Sequence, residues 1–382
     1  MTTLPNIWFI SAPANPTKSD TISKLKDKID SKNNDYATLF PFIIPDFKVG
    51  TLDSLVLLSD ELAKADIAME NIVLKISDSL KSLLNNNLDQ WKSLLSVSDK
   101  NIISYLESFS WNTMKYRSDK TLKELADNII HEITTIDTVM KNKLQAYSAT
   151  KSQLVAIDRK LSGNLSVKSL NEIVKKDHFV LDSEYLTSLI VAVPKASMKE
   201  WVDQYETLTQ MVVPRSSQKI AEDDEYALFN VTLFQKVVDE FTTKCREHKF
   251  IVRDFKWNAE ALSDEKKKYQ ELVQAEKDQL SSLIRLCKAN FSETYASWNH
   301  LKILRLFIES ILRYGLPPDF QPILVKAKPK QEKKVRTIIN KHYAYIDKGN
   351  NISEETIDET LQMLIGDKDY SPVVLFALNT II

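Results

Sequence analysis

The sequence predicts an α+β fold, predominantly helical, drawn out as an elongated dumbbell in which two globular parts are joined by an antiparallel pair of long helices. Three observations carry this reading. Five glycines in 382 residues fall far below the usual share of about 7%, so tight turns are few and long helices are favoured. Apolar residues between Leu122 and Leu161 recur about every 3.5 residues, the coiled-coil period. Both chain ends carry strand-like runs, which lets them share one domain.

From the N-terminus, IWFIS (7–11) reads as a short buried strand closed by Pro13 and Pro16. Gly50 then turns the chain into a helix lined by Leu52, Leu55, Val56, Leu58 and Leu62. Met69, Ile72, Ile76, Leu80, Leu83 and Leu84 carry the helical pattern into 67–100 until NNNLDQW loosens it. The aromatics of SFSWNTMKY are expected in the core. A helix over 119–161 is about 65 Å long at 1.5 Å per residue and needs a partner helix. Residues 258–296 supply one, with Tyr269, Leu272, Leu280, Leu283, Cys287 and Phe291 at similar spacing.

Between these helices, 163–255 reads as a compact α+β module. SLNEIV looks helical, LTSLIVAVP (186–194), YALFNVTLF (226–234) and KFIVRDF (249–255) look like strands, 235–247 is a helix and VVPRSS (212–217) a loop. Beyond the second long helix, HLKILRLFIESILRYGLPP (300–318) is apolar enough to suggest a membrane span. Its charges, Lys302, Arg305, Glu309 and Arg313, are spaced 3, 4 and 4, which is one stripe on a helix. At a bilayer centre each would cost roughly 2.5–3.5 kcal/mol. A soluble helix is expected to keep them in water as Arg305–Glu309 and Glu309–Arg313 pairs. Gly315 ends that helix, and Pro317 and Pro318 prevent its resumption. The basic run KAKPKQEKKVR (326–336) and a strand-like PVVLFALN (372–379) finish the chain.

Composition excludes several function classes. Fifty-one Lys and Arg against 52 Asp and Glu leave no overall field to draw the chain to nucleic acid or anionic lipid. Two cysteines, Cys245 and Cys287, make no disulfide framework and read as apolar fillers in a reducing compartment. The N-terminal run lacks a basic start and is too short for a signal peptide, so a cytoplasmic protein is expected and the glycosylation patterns at Asn164, Asn230, Asn290 and Asn351 carry no meaning. No glycines stand close enough for a phosphate-binding loop. The histidines are scattered, and Cys245 with His248 lacks a third group, so no metal, cofactor or catalytic residue is expected, and Cys245 and His248 read as an exposed helix end. The run Glu222–Asp223–Asp224–Glu225 fits a solvated loop or a docking patch for a basic partner better than a calcium loop.

Seven blocks in order resemble the C-subunit family of the V-type proton-pumping ATPase (V-ATPase): WFISAP (8–13), IPDFKVGTLDSLVLLSDELAK (44–64), SLNEIVKKDHFVLDSEYLTSLIVAVPK (169–195), QYETLTQMVVPRSS (204–217), EDDEYALFNVTLF (222–234), KFIVRDF (249–255) and HLKILRLFIESILRYGLPPDF (300–320). The resemblance implies a globular head at 163–255, a neck of helices at 119–162 and 256–296, and a foot made of 1–118 and 297–382. It further implies a non-catalytic stator component in reversible pump assembly, found in the cytoplasm and on the cytosolic face of vacuolar membranes. Its head would hold one peripheral stalk, a heterodimer of the pump's E and G subunits, and its foot a second E–G stalk and the cytosolic domain of the membrane-embedded a subunit. On that basis Asp182, Glu184, Tyr185, Arg215, Glu222, Asp223, Arg253 and Asp254 are expected to face a stalk, and Lys48 and Arg313 to serve the foot. The other reading is a cytosolic coiled-coil tether or actin-binding adaptor.

Overall fold

The structure, a computed structural model, describes residues 7–31, 34–171, 173–181, 183–255, 257, 259–349 and 371–378. Along the chain, β1 (Ile7–Pro13), α1 (Lys18–Ile29), a short hairpin of β2 (Asp30–Ser31) and β3 (Asn34–Asp35), and β4 (Ala37–Pro41) lead into α2 (Leu52–Leu83). Helix α3 (Leu88–Leu94), a second hairpin of β5 (Ser96–Val97) and β6 (Lys100–Asn101), and α4 (Ile102–Glu107) precede the long α5 (Leu122–Ser162). Strand β7 (Leu186–Pro194), α6 (Met198–Gln204), β8 (Gln218–Glu222), β9 (Tyr226–Phe234), α7 (Val238–Glu247) and β10 (Ile251–Arg253) follow. Helix α8 (Ala259–Tyr314), β11 (Phe320–Ala327), α9 (Glu332–Tyr343) and β12 (Val374–Leu378) complete the described chain.

The chain divides into a terminal unit, Met1–Lys143 with Ser281–Ile382, and a central unit, Leu144–Leu280. In the terminal unit the antiparallel sheet runs β12-β1-β11-β4. Strand β1 sits inside it, with Ile7 opposite Lys326 on one side and Leu378 on the other. Its first six residues are buried, as an interior strand covered on both faces requires. Helices α1 and α9 cover one face through Leu25, Ile29, Val335, Ile339 and Tyr343. Phe9 packs edge-on against Phe42 and Phe109, and Phe307 of α8 against Phe47 and Phe320.

Two expectations for this unit need correction. Residues 258–296 and 300–314 are not separate elements, because α8 runs unbroken from Ala259 to Tyr314. The polar SWNH junction stays helical with its side chains satisfied: Trp298 Nε1 donates to Asp66 (2.7 Å), Asn299 Nδ2 to the Tyr295 carbonyl (2.8 Å) and His300 Nδ1 to that of Ala296 (2.7 Å). Gly315, at φ +87°, ends the helix with the left-handed residue that glycine alone adopts freely. The charge stripe does not all face water either. Lys302 is 4% exposed and bound to Asp66, Arg305 bonds both Asp66 and Glu309, and Arg313 donates to the Ser371 carbonyl instead of pairing with Glu309.

In the central unit the sheet order is β10-β7-β9-β8, all antiparallel. The β7–β9 ladder is nine residues long, from Leu186 opposite Phe234 to Pro194 opposite Tyr226. One face packs on α6 and α7 around fully buried Trp201, which meets Phe250 at 5.3 Å. The other face takes Leu165, Leu170 and Val174. SLNEIV is not a regular helix: the N–H groups of Ile173 and Val174 both donate to the Leu170 carbonyl, a single turn that seats Leu170 and Val174 on the sheet. Cys245 and His248 are likewise not an exposed pair, since Cys245 is fully buried in the α7 core while His248 Nδ1 lies 3.0 Å from Glu200. Tyr147 donates to Glu276 (2.7 Å) and Tyr269 to Asp158 (2.9 Å), so α5 and α8 run antiparallel within this unit.

Candidate binding surface

The β7–β9 ladder places most of the residues expected to face a stalk at its two ends, while Arg253 on β10 stands opposite Ile190, midway along β7. Eight residue steps at about 3.4 Å each put those ends about 27 Å apart.

At the Pro194 and Tyr226 end, the side chains are committed internally. The Asp223 carboxylate accepts N–H bonds from Leu165 (2.6 Å), Tyr226 (2.6 Å) and Glu225 (2.9 Å). Burial alone would raise its pKa, but these donors hold it below the usual carboxylate range. Glu222 bonds Lys219 and Lys195 and is held low by both. Asn164 donates to Glu225 (2.6 Å), and Arg253 donates to the carbonyls of Leu165 (2.6 Å) and Lys168 (2.8 Å). This end is a clamp on the segment 164–168 that follows α5. Asp254, which follows Arg253 past the middle of β7, is exposed.

The opposite end is open and apolar. Gln235 N–H donates to the Tyr185 carbonyl (2.8 Å) and Phe234 N–H to that of Met211 (3.2 Å), which brings three separate segments side by side. Tyr185 is 66% exposed, Met211 57% and Phe234 38%. Val180 and Leu181 are exposed on the strand approach that Val180 N–H ties to Ser188. Glu184 and Arg215 are exposed too. Arg215 adopts φ +55°, held by its N–H donating to Glu206 (2.8 Å), and its neighbour Ser216 bonds Thr232 near the end of β9. Glu184, Tyr185 and Arg215 therefore gather at one rim, away from Glu222 and Asp223. Asp182 lies outside the described residues. Sequence reasoning did not select Met211 or Phe234: alternation makes Phe234 look like core, and only its place at the ladder's end exposes it.

In the terminal unit Lys48 is exposed and bridges backbone to Thr121, while Arg313 holds Ser371. The buried polar groups here are structural. Asp66, 4% exposed, accepts from Trp298 Nε1 (2.7 Å), Lys302 Nζ (2.8 Å) and Arg305 Nη1 (3.0 Å). Nearer the surface, exposed Lys115 joins Glu132 and Glu293. His300 accepts from the N–H of Asn112 (3.1 Å), and burial pushes its pKa down to about 4, so it is neutral at pH 7. Burial raises the thiols of Cys245 to about 12 and Cys287 to about 11, which keeps both protonated. Among the described residues no group of three or more His, Cys, Asp or Glu could hold a metal ion, and no helix is long and apolar enough to cross a membrane.

What this arrangement offers chemically is contact, through an exposed aromatic and apolar rim edged by charge. The family model for the V-ATPase C subunit matches residues 7–374. The C 1 subunit of the V-type proton ATPase of Rattus norvegicus is 41% identical over 376 residues, covering 98% of each chain. That of Xenopus laevis is 41% identical over 379 residues, and the C 1-B subunit of Danio rerio 39% over 376, again with 98% of each chain covered.

Proposed function

Because the chain belongs to the V-ATPase C-subunit family, we propose that it is a non-catalytic stator strut of the proton pump, joining two peripheral E–G stalks and the cytosolic domain of the a subunit. Residues 163–255 are the head, the α5 and α8 stretches over 119–162 and 256–296 are the neck, and 1–118 with 297–382 are the foot. The observation that carries the reading is the rim of Tyr185, Met211 and Phe234 with Glu184 and Arg215 beside it. Exposed aromatics and methionine flanked by charge have the composition of an interface core with a polar rim. The E–G stalk seats there, while Asp223, Glu222 and Arg253 act indirectly by fixing the head to its helix.

Two modest contacts joined by a stiff strut reinforce each other through effective concentration, by roughly 10²–10⁴ over either alone. Weakening one end then releases the whole strut, which makes assembly reversible at small energetic cost. The test is calorimetry of the intact chain against a purified E–G heterodimer. One-to-one binding that Y185A/F234A weakens at least tenfold supports the reading. Unchanged binding moves the contact elsewhere on the chain, and none by the wild type favours the tether.

A further inference from the structure

Helix α2 of the terminal unit is apolar on two sides. One side is core, where Leu55, Leu62, Met69, Ile76 and Leu80 are buried. The other is a line of Leu52, Val56, Ala63, Ile67 and Leu74, whose steps of 4, 7, 4 and 7 keep them on one stripe of a 3.6-residue helix. Leu52, Val56, Ile67 and Leu74 are exposed, Ile67 to 64%, and Ala63 is half-buried. At 1.5 Å per residue the line is about 33 Å long. A lone exposed apolar residue is ordinary, whereas a row of this length marks a place where something binds. Along its solvent edge run Asp53, Asp60, Asn71 and Asp78, spaced 7, 11 and 7. The three carboxylates are exposed and form no ion pair among the described residues. Glu61 is taken by Lys123 and Glu70 has a partner, so neither belongs to this free row. Lys64 and Lys75 stand one row further round and pair with none of the three. Asp53 suits the first turn of a helix, but Asp78 lies near the negative end of the helix dipole and gains nothing from it.

We infer that this stripe of α2 docks an amphipathic helix whose own apolar stripe is edged by Lys and Arg, on a neighbouring component of the pump. This deepens the strut reading by giving the foot a binding surface, and rests on it only for where the partner resides. Charge complementarity names the occupant: the aspartate row meets a basic edge as flanking positions do between paired helices, while the apolar lines interdigitate. The same row opposes the two other occupants. An anionic membrane repels it, since helices that lie on membranes carry Lys and Arg on their polar face. A second copy packed antiparallel sets the aspartates against themselves.

The test uses the intact chain with V56Q/I67Q, D53N/D60N/D78N and a control, L57Q/M114Q, at two exposed apolar residues off the stripe. Each is titrated with two designed peptides, a leucine-striped helix edged by Lys and its twin edged by Glu, then offered to pump membranes stripped of this chain. The wild type and the control are expected to prefer the Lys-edged peptide about tenfold, and D53N/D60N/D78N to lose that preference. V56Q/I67Q is expected to bind it about tenfold more weakly, at an unchanged melting temperature, with a matching loss of reattachment. Failure of the wild type to bind the Lys-edged peptide, equal binding of the two peptides, or unaltered binding by V56Q/I67Q overturns the inference. So does self-association of the wild type in sedimentation that V56Q/I67Q abolishes, and so does full reattachment of V56Q/I67Q. If the wild-type chain fails to reattach, the strut reading falls, while the peptide arms still decide the chemistry of the stripe.

Discussion

The two units fix their polar groups in opposite ways. The terminal unit buries charge: Asp66 on α2 meets Lys302 and Arg305 on α8, more than 230 residues away. The central unit keeps charge near water and spends it on backbone, with Asp223 and Arg253 holding the segment after α5. The difference follows from how each sheet is assembled. All four strands of the central sheet come from one stretch, 186–253, and the turn residue Asp223 sets the β8–β9 connection locally. The terminal unit joins segments from both ends of the chain, where a buried pair that is costly when mismatched selects one register. The lesson is that buried charge here serves specificity between distant segments.

The sharpest way to break this comparison is Asp66→Ala, which strands Lys302 in the core. A loss of roughly 3–5 kcal/mol in urea unfolding is expected, with most of it recovered by replacing Lys302 with Met as well. A loss below about 1 kcal/mol would show that the cluster is solvated.

Acid should separate the units next. His300 titrates near 4 when folded against 6.5 ordinarily, so the unfolded chain takes up its proton first. Stability from this group is full above pH 6.5 and falls as pH drops to about 4, by about 3 kcal/mol. Asp223 is depressed from 3.8, so its contribution is present above that value and is lost only at lower pH. The terminal unit should therefore weaken first on acidification. Hydrogen exchange across pH 7 to 4 checks the order, and H300Q should flatten the upper window.

Arg253→Met in the central unit removes two bonds to carbonyls and should cost about 2 kcal/mol, with exchange rising first at 164–168. The smallest effect belongs to the open rim: Y185A should change stability by no more than about 0.5 kcal/mol. A larger loss by thermal melting would make Tyr185 structural.

Much of the fold was legible in the sequence. The 3.5-residue step gave α5 and its partner, and the apolar runs gave β1, β7, β9 and β12. What escaped depended on distant partners. Nothing near Lys302 announces Asp66, so a charge stripe that looks solvated is in fact half buried. Residues 258–296 and 300–318 read as separate stretches because the bonds that satisfy the polar side chains between them cannot be seen in sequence. Edge strands β4 and β8 are short and carry exposed polar positions, so alternation alone did not mark them. For the surface, residue type pointed to Tyr185 and Arg215, but the separation of a committed end from an open one needed the strand register.

The pairing of β1 with β12 sets a timetable for making the protein. The first strand, Ile7–Pro13, cannot close its sheet until Val374–Leu378 has emerged from the ribosome. The central unit is complete by Leu280, and at about 5–20 residues per second the last stretch takes roughly 5–20 s more. Throughout that interval β1, apolar along almost its whole length, is a nascent strand with an open edge. A prematurely terminated chain would keep a well-formed centre and a sticky beginning, which is the kind of product that chaperones and proteases are built to find.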